Sequence, residues 1–210
     1  MEYTNNQAPV RPQMPSGTPF WRSKMAFLAF AVLAVLAVGW FLFFREEGIP
    51  GANKIETVTL SGTVFSYPGN WQQLQATATE QKAGIVLKLG SANPTGSFVW
   101  RALKGKLDKD VIVSSLPDGI ANSLTSEVAG TKIISKGLTK LGTKDAVKIN
   151  YTRPASTGSK VTNQNVMYVV PRPNQTDYLT FSSKVADFSK LEPGFSKILS
   201  SFVTYITAHP

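Results

Sequence analysis

Few residues in this chain are able to do chemistry, and most of those are lysines. Between residues 132 and 160 stand Lys132, Lys136, Lys140, Lys144, Lys148, Arg153 and Lys160, accompanied only by Asp145. The first six form the candidate binding set. Their ammonium and guanidinium groups attract the anionic headgroups of lipids or the anionic groups of wall polymers. On an extended strand Lys132, Lys136 and Lys140 share parity and hence one face. The competing reading is a solvated sheet edge, where lysines discourage unwanted strand pairing. Of the two, the edge reading is favoured.

Catalytic chemistry is argued against by elimination. The single histidine, His209, is next to last in the 210 residues, which excludes a histidine triad or a histidine-rich metal site. There is no cysteine, so no thiol nucleophile and no disulfide. No Ser-x-x-Lys, Gly-x-Ser-x-Gly, phosphate-binding loop or dinucleotide fingerprint is present. Beyond Glu46-Glu47 next to the apolar run, Asp108-Lys-Asp110 is the one close acidic pair, and at a helix start two carboxylates read as capping and dipole partners, with a weak divalent-cation site as the sharper alternative. The expectation is a protein without enzymatic activity, cofactor or metal. Nucleic acid is not expected as a partner either, because basic and aromatic residues are not interleaved.

The elements that carry these residues are mostly strands. Glu56 to Leu60 and Thr63 to Tyr67 form a hairpin across Ser61-Gly62, and Ala83 to Leu89 pairs with Ser97 to Leu103. Lys132 to Leu141 and Ala146 to Thr152 form a third pair. In the latter strand Val147, Ile149 and Tyr151 face one way while Lys148, Asn150 and Thr152 face the other. Asn165 to Val170 and Asp177 to Ser182 form the last pair. Tight turns connect the strands, so the sheet is expected to be mainly antiparallel. Two stretches have helical spacing instead. Lys109 to Glu127 carries Val111, Ile112, Leu116, Ile120 and Leu124, with Pro117 expected to kink or restart the helix. Phe188, Leu191, Phe195, Ile198, Leu199 and Phe202 form the second stripe, with Asp187 as a cap and Pro193 in a first turn. Helices with one apolar stripe pack on a sheet face, which predicts an α+β architecture.

Ahead of these elements lies an uncharged run of twenty residues, Met25 to Phe44. As a helix it reaches about 30 Å, the thickness of a bilayer core. The run is longer than the apolar part of a cleaved signal peptide and lacks a small-x-small site after it, so an uncleaved signal anchor is expected. Arg11, Arg22 and Lys24 precede it and Arg45 follows, which points the amino terminus to the cytoplasm. Four regions result. Residues 1–24, rich in Pro, Asn and Gln, read as a disordered cytoplasmic tail. Residues 25–44 read as a single transmembrane helix and residues 45–54 as a short linker. Residues 55–207 read as one extracytoplasmic domain large enough for its own core. From residue 54 onward 18 Lys and Arg stand against 10 Asp and Glu, so that part is clearly basic.

The stretch Val64-Phe-Ser-Tyr-Pro-Gly-Asn-Trp71, a strand entering a Tyr-Pro-x-x-Trp turn, resembles the start of PsbP-like domains, which include the bacterial DcrB relatives. The strand Tyr178-Leu-Thr-Phe181 and the helix closing on Phe195-Ser-Lys-Ile-Leu-Ser-Ser-Phe202 resemble the end of such domains, and the order between them fits over about residues 56–204. The resemblance implies an α/β/α sandwich around a central antiparallel sheet, and a family mostly of non-enzymatic binding or assembly factors. It carries over no photosystem role, since no matched residue holds one. Tyr67, Pro68 and Trp71 also read directly, as an aromatic-flanked turn that packs over strand ends. The function expected from all this is a single-pass, membrane-anchored, extracytoplasmic binding or assembly module engaging a protein or an envelope component. The alternative is an electrostatic adaptor that holds anionic headgroups or wall polymers on a basic sheet face.

Overall fold

The computed structural model describes residue 51 and residues 53–105, 115–156 and 158–209. The expected cytoplasmic tail, the membrane span Met25 to Phe44 and the pair Asp108 and Asp110 lie outside the described residues. Among the described residues no helix is long and apolar enough to cross a membrane.

Ser61 and Gly62 both take left-handed backbone angles (φ +49° and +81°), the geometry of the tight hairpin turn that joins β1 (Ile55–Leu60) to β2 (Thr63–Pro68). β3 (Trp71–Leu74) follows, then a short helix α1 (Ala78–Lys82), β4 (Ile85–Ala92) and β5 (Thr95–Lys104). After α2 (Leu116–Glu127) come β6 (Lys132–Leu141), β7 (Lys144–Pro154), β8 (Thr162–Pro171) and β9 (Gln175–Lys184). A 3₁₀ turn, Val185–Asp187, leads into the last helix, α3 (Phe188–Ala208). β3 to β9 form one seven-stranded sheet in the order β3-β4-β5-β9-β8-β7-β6, and every neighbouring pair is antiparallel. The α+β class and the antiparallel sheet are as the turns and stripes predict.

Alternation divides the sheet into two apolar faces. On one, Leu87, Leu89, Phe98, Trp100, Leu179 and Phe181 pack against the α3 stripe of Leu191, Phe195, Ile198 and Phe202, with Phe65 of β2 beside them. The ring centroids of Trp100 and Phe202 lie 5.2 Å apart edge to face, and those of Phe181 and Phe195 4.8 Å apart. Ser66 of β2 donates its backbone N–H to Ser201 Oγ at 3.1 Å, which ties the first hairpin to α3. On the other face Val147, Ile149, Tyr151 and Val169 are buried under Leu116, Ile120 and Leu124 of α2. Trp71 is a core residue: its ring meets Phe195 edge-on at 5.6 Å and its Nε1 lies against Gly194, where an added Cβ would come within 3.0 Å.

At one end of the sheet the α3 face closes on a buried charge. Asp177 is fully buried. Its Oδ1 accepts hydrogen bonds from Trp100 Nε1 and Gln175 Nε2, each at 2.9 Å, and its Oδ2 accepts from Arg172 Nε at 2.6 Å. Arg172 Nη1 also donates to the backbone carbonyl of His209 at 2.7 Å, and its guanidinium lies 6.0 Å from the Tyr205 ring. One carboxylate thus joins β5, the β8–β9 turn and the carboxy-terminal end of α3.

Several local expectations are corrected. β3 and α1 are not visible as strand or helix in the hydrophobic pattern. The hairpin strands run longer than their apolar cores, because main-chain pairing continues into Asn- and Lys-bearing ends, as at Lys104↔Gln175 and Asn163↔Lys184. Pro117 stands where a helix starts, one of the two roles expected of it, and residues 109–114 of the expected helix lie outside the described residues. It sits in the first turn of α2, where its missing N–H has no intrahelical partner to lose. Pro193 is not in a first turn, since α3 begins five residues earlier at Phe188. Asp187 makes no side-chain cap; its carboxylate pairs with Lys190 at 3.1 Å.

Replacing Arg172 with Ala leaves the Asp177 carboxylate buried without its cation. Urea denaturation of the described domain is expected to show a loss of about 3–5 kcal/mol. A second outcome concerns α1. Glu80 accepts from Lys88 Nζ at 2.8 Å and from the Thr77 N–H at 2.9 Å, and the Lys88 bond above all draws its pKa down to about 2. A depressed carboxylate stabilises the fold above its ordinary range, and that contribution is lost as pH falls from 4.5 toward 2. A carbon-detected NMR titration is expected to place the Glu80 midpoint near 2, with amide protection in α1 falling across the same window.

Candidate functional site

The six candidate cations lie on β6 and β7, at one lateral edge of the sheet. Among the described residues β6 pairs with β7 alone. Gly142, with φ +60°, opens the two-residue turn between them, so Leu141 pairs with Lys144. Down the ladder Lys140 faces Asp145, Leu138 faces Val147 and Lys136 faces Ile149, all on the α2 side. Between Ser135↔Asn150 and Ile133↔Tyr151 the register shifts, and Ile134 has no partner across the ladder. This bulge reverses the alternation for everything before it. Lys132 therefore pairs with Thr152 and lies on the α3 side.

This corrects the parity argument. Lys132, Lys136 and Lys140 do not share a face, because one extra residue in the strand flips its side chains. The registers divide the six cations evenly: Lys132, Lys144 and Lys148 on the α3 side, Lys136, Lys140 and Arg153 on the α2 side.

Their surroundings differ as well. Lys136 pairs with Asp118 of α2, and Lys140 with Asp145 at 3.3 Å. Both pairs are solvent-exposed, worth at most about 1 kcal/mol each, and readily exchanged for another carboxylate. Lys148 Nζ sits 5.6 Å over the Tyr168 ring. Arg153 lines a hollow of about 370 Å³ between the end of α2 and the β7–β8 turn, with Glu127, Ser156 and Gly158. Beneath it, burial pushes the Tyr151 phenol above its ordinary pKa. The Arg153 charge pulls it back in part and the Glu127 charge adds to the rise. Asn150 donates to Ser135 Oγ at 2.6 Å and so braces the bulged segment.

Other groups with chemical potential are engaged inside the fold. His209 stacks on Tyr205 with centroids 4.5 Å apart, its Nδ1 3.0 Å from the Tyr205 carbonyl. Asp177, the buried carboxylate, is a residue that sequence reasoning misses. Its signal is an acid at the same parity as the inward-facing Leu179 and Phe181 of its strand. Among the described residues no three His, Cys, Asp or Glu side chains gather as metal ligands.

No protein-family model matches the sequence, and no curated protein matches it significantly. Solved structures do. The cyanobacterial PsbP (CyanoP) of Synechocystis superposes with a TM-score of 0.54 at 12% identity, over 74% of this chain and 94% of that one. LpqN of Mycobacterium tuberculosis, described as involved in cell envelope biogenesis, aligns with a TM-score of 0.44 at 12% identity, over 72% of this chain and 83% of that one. A protein of Bacteroides thetaiotaomicron aligns at 0.37 and 15% identity over 58% of this chain. The match covers 38% of that protein, so this chain spans well under half of its length. With the seven-stranded antiparallel sheet and its terminal helix, the superposition on the cyanobacterial protein assigns the described domain a PsbP-like fold.

Proposed function

We propose that this chain is a membrane-tethered, extracytoplasmic, non-enzymatic binding or assembly module that engages a protein or an envelope component. The observation that carries the reading is the β6 edge. Among the described residues its outer side has no strand partner, and it bears Lys132, Lys136 and Lys140, while the buried carboxylate and the lone histidine of the domain are held in internal contacts. A surface that can still bond to another molecule is thus an edge rather than a catalytic cleft. The tether rests on the uncharged run Met25 to Phe44, and the orientation on the positive residues that precede it.

The electrostatic adaptor is a second reading, favoured by the excess of cations along β6 and β7. Against it stands their division between two faces, which leaves no single face dense enough to match a polyanion on its own.

Protease added outside intact cells is expected to remove a fragment covering residues 55–210, and protection of that fragment would overturn the orientation. Reversing Lys132, Lys136 and Lys140 to Glu separates the two readings on a polyanion column at low salt. A module predicts reduced but measurable retention, because Lys144, Lys148 and Arg153 remain. Complete loss would favour the adaptor.

A further inference from the structure

We infer that the outer edge of β6 is a docking strand for an extended, acidic segment of another protein. The inference deepens the reading of the domain as a binding module and rests on it. β6 is ten residues long, about 33 Å of strand, and among the described residues bonds to β7 on one side only. Its outer side therefore presents a row of main-chain donors and acceptors, the template that an added strand uses. The opposite edge of the sheet is a poor template: β3 has four residues. The chain also enters the domain beside β3, where the Gly69 N–H donates to the Lys54 carbonyl at 2.7 Å. Six strand spacings, about 29 Å, separate that entry from β6.

The side chains of β6 say what the partner is. Cations at 132, 136 and 140 alternate with two exposed apolar residues, Ile134 at 60% and Leu138 at 54% of full exposure. Opposite-charge pairs across a ladder stabilise it and like charges oppose it. A second copy of this chain would set lysine against lysine along the shared edge and would meet the bulge at Ile134 on both strands. Lys136, Leu138 and Lys140 follow one another on the α2 side, so a segment of the form Glu-x-Val-x-Glu, whose alternate residues share a face, sets carboxylates opposite Lys136 and Lys140 and an apolar residue opposite Leu138, and a further carboxylate three residues on meets Lys132 on the α3 side beyond the bulge. The same lysines thus reject self-pairing and accept an acidic strand. Asp118 and Asp145, which pair with Lys136 and Lys140 in the free domain, are exposed and displaceable at small cost.

The test uses the full chain in nanodiscs of uncharged phosphatidylcholine and a fluorescein-labelled peptide, Glu-Thr-Val-Thr-Glu-Thr-Val-Glu, whose first, third and fifth residues face Lys140, Leu138 and Lys136 and whose last faces Lys132, read by anisotropy. The peptide is expected to bind at low salt and weaken with added salt. Binding should fall about tenfold or more in the Lys132→Glu, Lys136→Glu, Lys140→Glu variant and in Leu138→Glu, but not in Lys82→Glu, Lys104→Glu. The same peptide methylated on alternate backbone nitrogens, which keeps its charge but cannot extend a ladder, should also bind about tenfold less tightly. Equal binding of the methylated peptide would overturn strand docking in favour of plain charge attraction, and no binding of either peptide would overturn the proposal outright. Photo-crosslinkers placed at Leu138, Val64 and Val86 in cells separate the two levels. Adducts at Leu138 that map to an acidic extended segment support docking on β6. Adducts from Val64 or Val86 alone sink the β6 site and leave the module; adducts from none sink the module as well.

Discussion

The Asp177 carboxylate, wholly enclosed, has to be matched by donors from three directions, and the fold is arranged so that it is. Trp100 reaches it from β5, Gln175 from its own strand, and Arg172 from the turn that precedes it. Desolvating a carboxylate and a guanidinium costs several kcal/mol per ion, which only good geometry and further hydrogen bonds offset. Both are present, and the second arm of Arg172 reaches the His209 carbonyl, so the charge pair also fixes where α3 ends. The aromatic contacts depend on that placement. Tyr205 lies 4.8 Å from Trp100 and Phe202 lies 5.2 Å from it, and both hold this geometry only if the end of α3 stays at the β8–β9 turn. The pair acts less as a source of net stability than as a register pin for a helix that could otherwise slide along a uniformly apolar sheet face.

From that pinned face the rest of the sheet follows outward, and its two lateral edges end differently. β3 is short and lies beside the point where the chain enters. β6 is long, with nothing of the described domain bonded to its outer side. A free edge is a hazard, and three features blunt it here: lysines, a bulge and Gly137 in the middle of the strand. The bulge does more than interrupt pairing. By taking one residue out of the ladder it sends Lys132 to the opposite face from Lys136 and Lys140, so positive charge wraps around the edge instead of coating one surface. A polyanion lying flat on a face would meet only some of these charges, whereas a strand running along the edge would meet all three.

Much of the fold is legible in the sequence. The hairpin across Ser61-Gly62, the alternation of Val147, Ile149 and Tyr151, and the stripe from Phe188 to Phe202 all predict the observed elements, because each rests on periodicity within one segment. β3 and α1 are not legible. Trp71-Gln-Gln-Leu74 has too few apolar positions to signal a strand, and it becomes one only because β4 lies beside it. Pro193 reads as a helix start by local rules, yet the packing of Phe188 and Leu191 on the sheet draws the helix back past it. The candidate cations are all identifiable by type and spacing, while their grouping is not.

The sequence by itself determined the strands other than β3, the two amphipathic helices, the antiparallel pairing and the basic character of residues 132–160, since these depend on local turn chemistry, side-chain period and composition. The tertiary structure alone decided which strand is an edge, that a bulge at Ile134 splits the lysines between two faces, and that Asp177 and Arg172 meet inside the core. Strand order and bulges are fixed by long-range pairing, which leaves no mark in a local period. A buried ion pair is recognisable only once the elements that surround it have been brought together.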